Sequence, residues 1–418
     1  MNIAIIGGGA AGYFAAINIK ELCREASVTI FESADRSLAK VAVSGGGRCN
    51  LTNTFAEVKS LDKAYPRGAN LIKRAFKLFD YNDTKEWFEG HGIELVTQSD
   101  SCLFPKSQSS QEIIDKFVEL ASLYNIDVKH SYRVESIDRC DNGYEISFCD
   151  AKLSNRRFDA VVVTTGGSPT ADGLSMLSSL NLAITQPVPS LFTFNIPNNP
   201  ITQLMGAVVD PVGITLRGTK LSASGALLVT HWGMSGPAVL KLSSYGARHL
   251  NDSSYCATIA VNWTGDRTPE RVAMALQKLI SENRAKLVTS AKLFDLPFRI
   301  WMMALVKAGI SHERRFAEIG SKGINRLVNI LTNDEYQIEG QSRFREEFVT
   351  CGGVALTNIN LATLECKEHL NLYFAGEVLD VDAITGGFNL QAAWSTAYVV
   401  AKSITRRSLQ GGEILKIT

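Results

Sequence analysis

Short apolar runs alternate with longer helix-compatible stretches from the first residues to about Leu182. Ile3 to Ile6 is rich in β-branched residues and too short for a helix, which suits a strand buried on both faces of a parallel sheet. Ala10 to Ile19 then reads as a helix and Val28 to Phe31 as a second strand. Asn82 to Gly92 predicts another helix, with Asn82 or Asp83 able to cap it and Gly90 or Gly92 near its end. A further helix follows the capping-box spacing of Ser109 and Glu112. Pro187-Val188-Pro189 breaks this pattern. From Leu191 to Trp263 the chain becomes short β-type runs separated by Gly, Pro and Asn, as in a small sheet or barrel. Thr268-Pro269-Glu270 supplies an N-cap, a first-turn proline and an acidic first turn, and helical segments run on to about Leu331. Near Glu347 the strand-and-glycine grammar returns. The expected fold is therefore α/β and discontinuous. Residues 1–187 and 346–418 form one Rossmann-like domain, interrupted by a β-rich subdomain at 188–265 and a helical one at 266–345.

The turn after the first strand carries the strongest chemical signal. Gly7, Gly9 and Gly12 give G-x-G-x-x-G between a strand and a helix. The first glycine permits the tight turn, the second lets backbone approach a pyrophosphate, and the third lets helix and strand pack closely. The helix start adds unpaired N–H groups and a partial positive charge. Glu32 ends the second strand 20 residues after Gly12. Its carboxylate can accept hydrogen bonds from ribose hydroxyls and would repel a 2′-phosphate. Strand, helix, second strand and acid in register predict dinucleotide binding, without deciding between FAD and NAD.

Composition removes other classes. The 418-residue chain has 43 Lys and Arg against 42 Asp and Glu, a net charge of +1, so neither nucleic acid nor an acidic membrane surface is expected as partner. No apolar run approaches the ~18 residues of a membrane span. The first strand starts at residue 3, which leaves no room for a leader and favours the cytoplasm. The eight cysteines include no C-x-x-C pair and no Cys/His metal spacing, so no metal is expected and the thiols read as scattered and reduced. Nothing here speaks to oligomeric state.

Distal segments favour FAD. Phe158 to Thr165 reads as a buried strand running into Gly166-Gly167, and Leu372 to Ala375 as another ending at Gly376-Glu377. A glycine turn, Thr385 to Asn389, then feeds a long C-terminal helix. A second glycine-led turn suits a cofactor with ribityl and isoalloxazine parts to hold. Only one nucleotide fingerprint is present, so NADH or NADPH would act as a transient electron donor without a dedicated domain.

These segments carry a family resemblance. SGGGRCNLTN (Ser44 to Asn53), THWGMSGPAVLKLS (Thr230 to Ser243), VTCGGV (Val349 to Val354) and FAGEVLDVDAITGGFNLQAAWST (Phe374 to Thr396) resemble, in order, the blocks of the BaiN-like, or aminoacetone-oxidase-like, flavoproteins. That resemblance implies a two-dinucleotide-binding type of FAD domain. The cofactor-binding positions assigned on this chain are Gly7, Gly9, Ala10, Ala11, Gly12, Glu32, Lys40, Ser44, Gly45, Gly46, Gly47, Arg48, Cys49, Asn50, Val134, Thr165, Gly166, Gly376, Glu377, Gly386, Gly387, Phe388 and Asn389. The chain departs from the family in a shorter loop after Gly167, in Leu364 and Cys366 where Met and Ser are usual, and in Cys351 where Ala is common.

Several side chains leave alternatives open. Arg48 could neutralise a pyrophosphate or anchor its loop through a buried ion pair. Cys49 could be a redox thiol, but without a neighbouring cysteine it reads better as a small buried hydrophobe. His231 could act as a general acid or base near neutral pH, or bond its own turn. Asp380 and Asp382 suit hydrogen bonding better than acid catalysis. Arg314-Arg315 and Arg406-Arg407 read as solvated helix faces. The expected activity is hydride transfer through flavin N5 to or from an activated carbon–carbon double bond of a small organic substrate. An oxidase of small amines or amino ketones is the alternative enzyme, and a flavin-dependent tRNA-modifying or non-catalytic flavin-binding protein the alternative of another class.

Overall fold

In the structure, a computed structural model, residues 1–168, 171–340 and 349–414 are described. The chain divides into two units, Met1–Pro189 with Glu346–Thr418, and Ser190–Arg345. The return point expected at 345/346 and part of the loop after Gly167 lie outside the described residues.

The first unit is built on five strands: β1 (Asn2–Ile6), β2 (Ser27–Phe31), β3 (Asp127–Lys129), β4 (Ala160–Val163) and β5 (Leu372–Phe374). They pair in the order β5-β4-β1-β2-β3, every pair parallel. Ile3, Ala4, Ile5 and Val161 to Val163 are fully buried, which is why these segments read as continuous apolar runs. The chain winds outward from β1 through β2 and β3, then returns to place β4 on its other side. That reversal makes a topological switch point between β1 and β4, where ligands bind in open α/β sheets. A second link closes the unit: Ile184–Ser190 pairs with Val349–Val354, so segments on either side of the intervening stretch share a small sheet.

Helices Ala10–Leu22, Tyr81–Gly90, Ser110–Leu123 and Phe388–Ile414 cover this sheet. An aromatic core joins them. Phe14 packs on Trp87 with ring centroids 4.6 Å apart and on Trp394 at 5.2 Å; Phe88 and Phe117 reach Trp394 at 5.6 and 5.8 Å. The helix expected at Asn82 starts one residue earlier. Its cap is Asp80, whose carboxylate accepts the Asn82 and Asp83 N–H groups while Asp83 reaches back to the Asp80 N–H. The cap falls outside the expected boundary because an acid at either position satisfies the same local pattern.

The second unit holds a six-stranded antiparallel sheet in the order Phe194–Asn195, Gly233–Ser235, Ser222–Val229, Val208–Leu216, Cys256–Asn262, Asp334–Glu339. Asn195 Nδ2 donates to Glu339 O at 2.9 Å, which ties its two edge strands together. Strand Asp334–Glu339 follows the helical run yet pairs with Cys256–Asn262, so the helices are a long connection between neighbouring strands of one sheet. The sequence split this stretch at residue 265 because strand pairing across about 70 residues leaves no local trace. Asp334 anchors the junction: its carboxylate accepts from Lys307 Nζ at 2.6 Å, Trp263 Nε1 at 3.0 Å and the Tyr336 hydroxyl.

One ion pair in the first unit gives a pH-dependent contribution to stability. His91 faces oxygens on both ring nitrogens, Trp87 O at 2.7 Å and Glu21 Oε1 at 2.9 Å, and only the imidazolium donates to both. The bond to Glu21 raises the His91 pKa against the opposing effect of burial. Burial in turn opposes the Glu21 charge, but His91 outweighs it and holds the carboxyl below its usual range. For His91 the stabilisation is complete below the unfolded value of about 6.5 and is lost as pH rises through the raised folded value. His91→Gln should therefore lower the stability read from urea unfolding at pH 6 by roughly 1 kcal/mol or less. The difference from the parent protein should shrink by pH 9; an equal deficit at both values would exclude the charged pair.

Candidate functional site

The glycine turn lies at the switch point as the spacing requires. Gly7 has φ +110°, and a Cβ there would sit 2.5 Å from Thr164 O. At Gly12 a Cβ would meet Gly7 O at 2.0 Å and Thr164 Oγ1 at 2.9 Å. Thr164 is the residue that locks the turn: its hydroxyl lies 3.1 Å from Ile6 O and 2.9 Å from Gly7 O. Gly9, by contrast, faces open space, with no protein atom within 4 Å of an added Cβ. The N–H groups of Ala10, Ala11 and Gly12 open the helix, whose first internal bond is Tyr13 N to Gly9 O at 3.1 Å. Open space before unpaired N–H donors is the environment a pyrophosphate needs.

Glu32 lies beside that turn, and its carboxylate is already in use. Oε2 accepts the Gly8 N–H at 2.8 Å and Oε1 the Ala34 N–H at 2.8 Å. Sequence spacing assigns this acid to the ribose; the structure adds a scaffolding role, and two carboxylate oxygens have lone pairs for both. The segment carrying Val134 runs alongside, with Tyr132 N donating to Glu32 O at 2.8 Å. Val134 itself is buried and pairs with Phe148.

A second group surrounds Glu377. Lys40 Nζ lies 2.8 Å from its Oε2, and Thr350 N donates to Oε1 at 2.8 Å. The Gly166-Gly167 turn closes against the same carboxylate, since a Cβ on Gly167 would stand 2.6 Å from Glu377 Oε1. Thr165 is exposed at the start of that turn. Gly376 has φ +76° and meets the first helix at Ala11, whose Cβ would be 2.9 Å from its own. Lys40 and Glu377 thus neutralise each other, with 57% of the lysine side chain still exposed.

The third group joins the Ser44 loop to the last helix. Helix Ala39–Gly47 unwinds at Ser44, and Gly45, Gly46 and Gly47 all have positive φ. Among the described residues Arg48 forms no carboxylate pair; its guanidinium lies 4.3 Å from the Phe104 ring centroid and donates to Gln108 Oε1 at 3.2 Å. The anchoring ion pair considered for Arg48 is therefore replaced by cation–π and amide contacts, which leave its charge uncompensated. Cys49 is fully buried, and burial pushes its thiol up to about 12, so no thiolate is available near neutral pH. Asn50 and Thr52 hold the far turn: the Asn50 side chain bonds Thr52 O at 2.9 Å and accepts Gly387 N–H at 3.3 Å. Gln391, fully buried, accepts from the hydroxyls of Thr52 and Thr84. The Asn389 amide closes a two-bond ring with Ala383 N and O. Phe388 is buried and its carbonyl accepts the Tyr65 hydroxyl at 2.9 Å. The N–H groups of Phe388 and Leu390 have no protein acceptor among the described residues.

Two expectations about acids and bases resolve differently. Asp382 is fully buried and grips Arg67 through both oxygens, so it is a structural anion. His231 is exposed at the tip of a hairpin in the second unit, edge-on to Trp232 at 4.4 Å between ring centroids. The structure gathers the other assigned positions within the first unit and leaves His231 outside it. Sequence reasoning missed Thr164, Thr52, Gln391, Phe104 and Gly8. Of these only Thr164 left a local trace, as the hydroxyl residue that ends a Val-rich strand.

The arrangement suits FAD: open glycine backbone and free helix N–H groups for the pyrophosphate, Glu32 for ribose, and a second helix start for the far end of the cofactor. Comparisons with known proteins agree. The model of the HI0933-like protein Rossmann domain matches residues 1–403. Ribosomal RNA dihydrouridine synthase of Haemophilus influenzae is 27% identical over 412 residues, covering 96% of this chain and 98% of that protein. The 3-dehydro-bile acid delta(4,6)-reductase of Clostridium scindens is 26% identical over 419 residues, covering 97% of this chain and 99% of that protein. Among solved structures, a quinol-fumarate reductase with menaquinol molecules shares the fold at a TM-score of 0.51 and 11% identity, over 98% of this chain and 71% of that one. Among the described residues no helix is long and apolar enough to cross a membrane. The chain belongs to the HI0933-like Rossmann family and is an FAD-dependent oxidoreductase.

Proposed function

We propose that this protein reduces a carbon–carbon double bond conjugated to a carbonyl in a small organic molecule, or runs the reverse dehydrogenation. The observation that carries this reading is the full-length likeness to two enzymes whose names both denote saturation of such a bond, in a uracil ring and in a keto-steroid. Their substrates differ greatly while the bond chemistry is shared, so the bond is the part carried over. The near-neutral whole-chain charge favours the small molecule over a polyanion. The buried, protonated Cys49 argues against thiol–disulfide exchange as the alternative flavin chemistry.

FAD, when bound and reduced, supplies hydride from N5. The chain's own contribution is to position and polarise. The Gly7 to Gly12 turn and Glu32 would hold the ADP half, and Arg48, with no carboxylate partner, would offset phosphate charge. The helix start at Phe388 would offer N–H dipoles that favour negative charge on a reduced ring. Lys40 and Glu377, already paired, would set the position of the Gly166 turn instead of adding net charge. NADH or NADPH is proposed as a transient donor.

Reoxidation tests the reading directly. Under anaerobic conditions, dithionite-reduced enzyme should be reoxidised by cyclic enones faster than by imines; preference for imines or for oxygen would refute it. Purified protein should release FAD and not FMN on denaturation. Glu32→Ala should weaken FAD binding by about 1–3 kcal/mol, read by titrating the apoprotein and following flavin fluorescence. Gly387→Val puts a Cβ 2.5 Å from Thr52 O and 2.7 Å from the Asn50 side-chain amide, in a backbone conformation with φ +87° that a β-branched residue resists. That variant should lose FAD or show a lowered flavin potential against a reference dye. Full occupancy at an unchanged potential would place this turn away from the ring.

A further inference from the structure

Beside the Gly386-Gly387 turn lies an aromatic cluster that meets the assigned cofactor positions only through Phe388. Phe55 is its centre. Tyr81 stacks on it with centroids 5.1 Å apart and planes 23° apart, Phe76 meets it edge-on at 5.3 Å, and Phe388 meets it edge-on at 5.0 Å. Tyr65 and Phe388 are buried, whereas Phe55, Phe76 and Tyr81 are only half-buried. One side of the cluster is therefore core, and the other presents aromatic surface.

Phe55 is also held in an unfavourable backbone conformation, φ +58°, which a bulky side chain seldom adopts. The strain is imposed by Asn53. Its Oδ1 accepts the Phe55 N–H at 2.9 Å, while its Nδ2 donates to Gly386 O at 3.2 Å. One amide thus fixes both the ring of Phe55 and the turn assigned to the flavin. The Tyr65 hydroxyl bonds Phe388 O at 2.9 Å and ties the buried side of the cluster to the same helix start. Strain of this kind, over-determined by its surroundings, gathers at functional positions.

We infer that Phe55, with Tyr81 and Phe76, is the platform on which the planar conjugated ring of the substrate stacks. This inference rests on the proposed double-bond reduction and names its substrate class: a flat ring containing the double bond, not an open-chain alkene. Aromatic faces bind flat π systems by offset stacking and edge contacts, without the hydrogen bonds that would demand one particular ring. Such a platform tolerates rings as different as a cyclic enone and a nucleobase, two sources of the same chemistry.

The test uses the FAD-loaded protein in two arms. In the first, the oxidised protein is titrated with 2-naphthol, a flat ring it cannot reduce, and the flavin absorbance is followed. A saturable change is expected; Phe55→Leu and Tyr81→Leu should each weaken binding about tenfold, and Phe55→Tyr should restore it. FAD content and flavin potential should stay at parent values in every variant. In the second arm, reduced protein is reoxidised by 2-cyclohexenone or by a uridine-containing oligonucleotide, and the half-saturating concentration of whichever acceptor reacts should rise in the Leu variants. No spectral change in the parent protein, or equal naphthol affinity in parent and both Leu variants, overturns the platform. If naphthol binding discriminates as expected but neither acceptor reoxidises the flavin, the platform stands and the reductase reading fails.

Discussion

The space at Gly12 is the constraint on which the rest of the site depends. A methyl group there would stand 2.0 Å from the Gly7 carbonyl, well inside van der Waals contact. Only a hydrogen lets the first helix begin directly on the end of β1. The carbonyl of Gly7 can then accept the Thr164 hydroxyl, which fixes β4 beside the turn. With β1, β4 and the helix start clamped together, the crevice at the switch point has one shape, and its floor is backbone instead of side chain. The Gly376 approach to Ala11 builds on the same helix start.

From that clamp the site extends through pairs of segments distant in sequence. Glu377 gathers the Gly166 turn, Thr350 and Lys40. Gln391 and Trp394, both on the last helix, hold Thr52 and Leu51 O, and so position the Ser44 loop from its far end. These polar contacts lie in or near an aromatic core where an unpaired amide or indole would be costly, which gives each contact directional as well as energetic weight. The result is a rigid framework on which an open glycine backbone can be held without collapsing. Fixed dipoles on a rigid frame stabilise developing charge without reorganising, the general means by which a protein tunes a bound cofactor.

Asn53 shows how two segments distant in sequence become linked. A single side-chain amide spans Phe55 and Gly386, so the strained residue and the glycine turn cannot move independently. Orientation of a flat substrate against a reactive ring is worth more than extra affinity, because misalignment of about 1 Å costs orders of magnitude in rate. The buried Arg67–Asp382 pair lies on the same stretch of chain and adds directional stiffness beneath it.

Residues within one turn or one βαβ unit were legible from sequence. The strand, the G-x-G-x-x-G turn, the helix and the acid at Glu32 follow from spacing over about 30 residues, because glycine conformation and strand-to-helix geometry are local properties. The β-rich text after Pro189 was legible for the same reason. What the tertiary structure decided was which groups meet. Lys40 and Glu377 are 337 residues apart, Arg67 and Asp382 are 315, and Thr52 and Gln391 are 339. Both members of the first pair read as cofactor ligands, and only their contact shows that they neutralise each other. Asp382 read as a member of a carboxylate pair, and only the fold shows Arg67 as its partner. Local sequence fixes where the backbone turns and what each side chain is able to do; which partner satisfies it depends on long-range packing, to which residue spacing along the chain is blind.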